Sequence, residues 1–403
     1  MIKGILPNRR NKNNRLYTFV AHNTKKMKIY LLIFGILLNV VGLSQVISKE
    51  TDKNQNIIVS GTYGYGNVIP TNPFVKGDNL QGSPIEHYQF LSLKALWQNP
   101  GYTDWQKVYK GPYYGFGVTM GDFYNSQEIG YPISSYGILG IPIKRWKKIE
   151  VFTEFQFGLT SNWVHYDSIT NPKNIVIGGG LTVHLDIAMK LFYNLSPNFD
   201  LGTGVSFIHF SNGGFERPNR GFNIYSPFAE LRYRINKRPN YKSIAKSNRL
   251  ERSNDLYFMM GYGDHQLAEH ELDTNYFAIA GLTAIYFHQF SNAFRLGAGT
   301  DFNYWWGLNA NPDGTIGART WENLTIGIVL QPEMIIDRLT IAGGIGIYVR
   351  HLHYGSFNQT YQRLGVRYDV YKNLSFGVNV RALNFMLAEF LEFNLGYRIR
   401  WMQ

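Results

Sequence analysis

The feature that most constrains this chain is a two-residue alternation sustained over unusually long runs. In 181–191, Leu181, Val183, Leu185, Ile187, Met189 and Leu191 alternate with Thr182, His184, Asp186 and Lys190. In 294–304, Phe294, Leu296, Ala298, Phe302 and Tyr304 oppose Arg295, Asp301 and Asn303. In 374–382, Leu374, Phe376, Val378 and Val380 oppose Ser375, Asn379 and Arg381, and in 391–401 Leu391, Phe393, Leu395, Tyr397, Ile399 and Trp401 oppose Glu392, Asn394, Arg398 and Arg400. A period of two puts one greasy and one polar face on each strand. Runs of about nine to eleven residues match a tilted membrane-crossing strand, whereas soluble strands average about five or six. A sheet of such strands in lipid must close, because an open edge would leave backbone groups without partners. Outside the N-terminus, no stretch approaches the ~18 consecutive apolar residues of a membrane helix. The expected fold is therefore all-β, an antiparallel transmembrane β-barrel of about 12–16 strands closed as one ring over 45–403.

Sixteen alternating segments are candidates, near 56–66, 86–97, 112–122, 134–143, 149–159, 178–192, 201–211, 222–235, 254–264, 275–287, 294–305, 323–335, 339–350, 360–371, 374–383 and 389–401. Some of these are expected to be loops or hairpin arms. Polar stretches at 67–85, 161–175, 237–252 and 306–322 are candidate loops. Composition agrees: 16% aromatic residues and 41 glycines suit aromatic girdles and crowded walls. No cysteine is present, which excludes disulfides, thiolate nucleophiles and cysteine-ligated metals.

Residues 1–44 read as an address. Lys25, Lys26 and Lys28 precede an apolar run from Ile29 to Val41, and Gly42-Leu43-Ser44 supplies a small-residue exit. Cleavage is expected after Ser44; the alternatives are an uncleaved anchor, or a true start at Met27. Eight of the twelve excess positive charges lie in 1–44, leaving +4 for the remainder. A nucleic-acid-binding reading of the basic charge loses most of its support.

One segment carries candidate chemistry, Phe207-Ile208-His209-Phe210-Ser211-Asn212-Gly213-Gly214-Phe215-Glu216-Arg217-Pro218-Asn219-Arg220-Gly221-Phe222-Asn223. His209 and Ser211 are two apart, hence on one strand face, and an imidazole beside a serine can accept its proton. The odd positions Leu201, Val205 and Phe207 mark the apolar side. In the next strand Glu230, Arg232 and Arg234 mark the lumen. By this parity His209, Ser211 and Asn223 point outward near one rim; the alternative is a set of rim residues in water.

The pattern His209-x-Ser211-Asn212 with Pro218-Asn219-x-Gly221 resembles the outer-membrane lipid A deacylases of the PagL type, related to acyloxyacyl hydrolases, over roughly 160–236. The resemblance implies an outer-membrane esterase acting on an acyl ester of lipid A in lipopolysaccharide, with no cofactor and no nucleic-acid partner. It implies Ser211 as nucleophile and His209 as general base and acid, with Asn212 and Asn219 at the oxyanion. The family's acidic third member falls on Asn223, which can orient an imidazole but cannot neutralise its charge. Glu216 is the alternative acid. The rival function is a non-catalytic porin-like or structural barrel.

Three other features are decoys. His288 and Ser291 lie three apart and so on opposite strand faces. His351 and His353 share a face but have no carboxylate nearby, so no metal site is expected. Gly178-Gly179-Gly180 lacks the Lys-Ser/Thr ending of a phosphate loop.

Overall fold

Strands with one apolar and one charged face satisfy both in one arrangement: the apolar face meets lipid, and the charged groups pair with one another inside a closed ring. The computed structural model of the chain uses this solution twice. It describes residues 56–98, 101, 103–214, 216–236, 238, 252–266, 276–309, 320–352, 355–384 and 387–402. The proposed signal, its cleavage point at Ser44 and most of the 237–252 stretch lie outside the described residues.

The first eight strands are β1 (Asn56–Val68), β2 (His87–Gln98), β3 (Tyr113–Asp122), β4 (Gly130–Arg145), β5 (Ile149–Trp163), β6 (Thr182–Asn194), β7 (Phe199–Ser211) and β8 (Phe222–Arg234). Each pairs antiparallel with the next, and β8 returns to β1 with Arg234 opposite Ile58 and Glu230 opposite Thr62. The second eight are β9 (Ser253–Gln266), β10 (Tyr276–Gln289), β11 (Phe294–Trp305), β12 (Leu324–Ile336), β13 (Leu339–Arg350), β14 (Thr360–Tyr371), β15 (Leu374–Leu383) and β16 (Leu387–Met402). Here β16 closes on β9, with Leu395 opposite Met260. A five-residue helix, α1 (Asp104–Val108), lies between β2 and β3.

All sixteen alternating segments are strands, and the antiparallel closed architecture is the expected one. The ring count differs: two barrels of eight form where one larger ring was expected. The physical reason is what fills the interior. Eight strands enclose a space that side chains can fill, whereas sixteen would leave an aqueous channel. The inward groups here are bulky and mutually complementary. In the first barrel Lys190 reaches both Glu154 (2.6 Å) and Glu230 (2.7 Å), Lys94 lies 3.1 Å from Glu154, and Arg232 lies 2.7 Å from Glu230. In the second, Asp301 holds Arg363 at 2.6 Å and Arg381 at 3.1 Å, and Asp255 holds Arg398 at 3.0 Å. Buried charges persist only when paired, and each ring supplies its own partners.

The outward face is apolar in both rings, with Leu93, Val118, Met189, Val205, Met260, Leu282, Leu330 and Leu395 all exposed. Towards one end of the first ring stand Tyr193, Phe199 and Tyr233, and towards the other Tyr63, Tyr65 and Tyr225, as in an aromatic girdle.

Above its ionic layer the first barrel is filled with apolar side chains. Tyr88, Phe90, Phe123, Trp163, Phe210 and Phe222 pack together. The connections 69–86 and 164–181 fold inward to add Phe74, Val75, Val176 and Ile177. Burying each such side chain is worth about 1.5–3 kcal/mol. The mouth next to the β7–β8 connection is thus a rigid floor. That connection is tied to the floor by Arg220 N–H to the Ile175 carbonyl (3.0 Å) and Gly221 N–H to the Val176 carbonyl (3.1 Å).

Candidate active site

Strand β7 alternates Leu201, Thr203, Val205 and Phe207 to the outside, and this parity carries His209 and Ser211 to the same side at its upper end. The β7–β8 register sets His209 directly opposite Asn223, and Phe207 opposite Tyr225. On the other flank, β6 places Leu185 beside His209 and Val183 beside Ser211. The three polar residues therefore meet on the outer wall, above the apolar band.

The side chains meet as well as the backbones. His209 Nδ1 lies 2.7 Å from Asn223 Oδ1, and His209 Nε2 lies 2.9 Å from Ser211 Oγ. An amide oxygen only accepts, so Nδ1 carries the proton and the neutral ring presents its Nε2 lone pair to the Ser211 hydroxyl. That is the arrangement in which a histidine can take a serine proton. Ser211 is buried and His209 and Asn223 are half-buried, so water screens these bonds little.

The connection 212–221 has its own logic. Asn212 N–H donates to Asn219 Oδ1 (3.1 Å), Gly214 N–H donates to Asn212 Oδ1 (3.0 Å), and Asn212 Nδ2 donates to the Glu216 carbonyl (2.6 Å). Asn212 is thus bound into the loop through both ends of its amide. Asn219 Nδ2 differs: it is buried and has no hydrogen-bond partner among the described residues. A buried donor without a partner costs about 1–3 kcal/mol, so one in the loop that follows Ser211 has capacity for a partner that the described residues do not supply.

Glu216 does not reach the imidazole, both of whose nitrogens are already engaged. Its carboxylate lies over Gly179, where a Cβ would collide with it. Burial pushes the Glu216 carboxyl above its ordinary range, and His165 offsets this only in part.

Gly221 is a site residue that sequence reasoning left as part of a motif. It has φ +67°, and a Cβ there would come within 2.8 Å of the Phe210 carbonyl and 3.3 Å of both His209 Cε1 and Ser211 Cβ. The signal available was a glycine at the end of Pro218-Asn219-x-Gly221, but only the folded loop shows what it stands against.

His288 Nδ1 lies 2.9 Å from Asn254 Oδ1, but Ser291 Oγ accepts the backbone N–H of Ala293 and Phe294 in a turn. His351 packs against Tyr348 and Trp305, and His353 lies outside the described residues.

Residues 92–233 match the family model described as lipid A 3-O-deacylase (PagL), and residues 252–401 match that of the acyloxyacyl hydrolase C-terminal domain. The chain belongs to the PagL family of lipid A deacylases. The match begins well before 160, and the second barrel, which the resemblance in the sequence did not reach, has a family model of its own. The crystal structure of the outer-membrane enzyme PagL aligns at 19% identity and TM-score 0.29, over 42% of this chain and 97% of that one. An outer-membrane channel from Pseudomonas putida F1 aligns at 11% identity and TM-score 0.19, over 88% and 98% of the two chains. No curated protein matches the chain. This PagL-family chain is an outer-membrane β-barrel protein of a family that removes acyl groups from lipid A.

Proposed function

We propose that the first barrel is a serine esterase that hydrolyses an acyl ester of lipid A at the outer rim of the wall. The observation that carries this reading is the His209 ring held between Ser211 (2.9 Å) and Asn223 (2.7 Å) on an outward face. A lipid ester can reach such a site without leaving the membrane.

Ser211 Oγ attacks the ester carbonyl carbon while its proton passes to His209 Nε2. The carbonyl oxygen becomes an oxyanion, and the unpaired Asn219 Nδ2 is the donor available to it. Collapse breaks the bond to the sugar oxygen, which takes the proton back from His209 and leaves as an alcohol. The acyl group then sits on Ser211. A water molecule, deprotonated by His209, attacks it, and the second collapse returns the proton to Ser211 and frees a fatty acid. Through both steps the Asn223 oxygen holds the Nδ1 proton and so keeps Nε2 as the basic nitrogen. Asn212 positions the loop, donating its backbone N–H to Asn219 Oδ1 and its side-chain amide N–H to the Glu216 carbonyl.

A porin-like role finds little support, since bulky paired side chains occupy both interiors. The test is covalent labelling of outer-membrane preparations with a long-chain alkyl fluorophosphonate. The parent should be labelled at Ser211, and Ser211→Ala and His209→Ala should not. Equal labelling of Ser211→Ala would overturn the assignment.

A further inference from the structure

The catalytic loop touches the second barrel. Gly213, two residues beyond the nucleophile, has φ +70°, and a Cβ there would lie 3.9 Å from Leu391 Cβ and Cδ1 and 4.0 Å from Val380 Cγ2. Gly214, with φ +83°, would bring a Cβ to 3.0 Å from the Ala388 carbonyl. At the opposite ends of the strands Tyr109 Oη donates to the Ile335 carbonyl at 2.7 Å and lies 3.2 Å from that of Ala293.

Val380 and Leu391 are a cross-strand pair on β15 and β16. Their neighbours Asn379, Arg381 and Glu392 point into the lumen and are buried, so this pair faces outward. Lower on the same wall Leu374, Leu395 and Tyr397 are exposed, while Val380 and Leu391 are half-buried. On the first barrel Val183 and Leu185, which flank Ser211 and His209, are half-buried in the same way. Two apolar, partly shielded surfaces thus adjoin the reacting serine and the loop that follows it. A chain of methylenes attached to an ester at Ser211 must lie on apolar surface, and each methylene buried contributes.

We infer that Leu391 and Val380 of the second barrel form one side of the acyl-binding surface of the first barrel's site and set which acyl length is cleaved fastest. This rests on the esterase reading above. The second barrel then supplies specificity to a reaction whose chemical groups all belong to the first.

The test uses the full-length protein in detergent micelles with p-nitrophenyl octanoate and p-nitrophenyl palmitate, comparing kcat/KM for the two. Leu391→Trp should lower the palmitate-to-octanoate ratio roughly tenfold, the effect of about two methylenes losing their contact. Val380→Phe should shift the ratio in the same direction and serves as the second variant should Leu391→Trp fail to assemble. Leu330→Trp, at an exposed outward position on β12, should leave the ratio unchanged. Unchanged ratios in both seam variants would overturn the inference, as would an equal shift in Leu330→Trp. Ser211→Ala, measured alongside, separates the two readings. If it hydrolyses both esters like the parent, the esterase reading fails; if it is inactive while the seam variants leave the ratio unaltered, only the specificity inference fails.

Discussion

Asn223 stands where the resemblance in the sequence implies an acid, and its replacement makes opposite predictions for two substitutions. Asn223→Ala removes the acceptor 2.7 Å from His209 Nδ1 and leaves a half-buried N–H unpaired. Losing such a bond costs about 1–3 kcal/mol. If all of it falls on the transition state, kcat drops by roughly 5- to 150-fold. Asn223→Asp keeps the oxygen at the same distance and adds a negative charge. Charge-assisted hydrogen bonds are about twice as strong as neutral ones, and the gain appears only when His209 becomes positively charged. An extra ~1 kcal/mol in the transition state alone raises kcat about fivefold. The assay is release of fatty acid from purified lipid A in mixed micelles under saturating substrate, with barrel assembly checked by heat-modifiable migration on a gel. A fall for Asn223→Ala with a rise for Asn223→Asp is the expected pair. If both variants turn over at the parent's rate, Asn223 does not orient the imidazole and the proposed triad is wrong.

Three further outcomes follow from the loop. Asn219→Ala should lower kcat by about 10²-fold with little change in KM, since the lost donor acts on charge present only in the transition state; steady-state kinetics on lipid A checks it. Gly221→Ala should reduce activity at least tenfold, on the order of the ~1–2 kcal/mol cost of a left-handed non-glycine residue, because the added methyl must also displace the Phe210 carbonyl, His209 or Ser211. Glu216 has its carboxyl pKa raised by burial in the loop, so the loop's docking is favoured below the unfolded-state value and weakens as pH rises through the folded value. Hydrogen exchange of residues 212–220 should accordingly show Glu216→Gln better protected than the parent at pH 7, and the difference should vanish near pH 4.

Much of the wall was legible because alternation is a local property. Segments such as 294–305, 339–350, 360–371 and 374–383 coincide with β11, β13, β14 and β15 residue for residue. Where the reading fell short, the cause was also local. Strand β5 continues to Trp163 through Ser161 and Asn162, where both faces become polar above the lipid and the period fades. β4 begins at Gly130 with a register irregularity before Ile133 that interrupts the alternation. The number of rings was not legible, since which strand closes on β1 depends on charges such as Glu154, Lys190 and Glu230 meeting across an interior. Parity sufficed to bring His209 and Ser211 to one outward face. The pairing of His209 with Asn223 required the register, and that is set by how the loop turns through Gly213, Gly214 and Gly221 at positive φ. For the same reason the sequence could not separate Asn212, bound into the loop, from Asn219, whose amide nitrogen has no partner among the described residues.

The most direct test of the Ser211 mechanism is mass spectrometry of lipid A extracted from Gram-negative cells expressing either the parent protein or Ser211→Ala at equal outer-membrane levels. Lipid A from the parent strain should lose the mass of one ester-linked acyl chain, and lipid A from the Ser211→Ala strain should match that of cells without the protein. The same loss in both strains would show that deacylation does not pass through Ser211 and would contradict the mechanism.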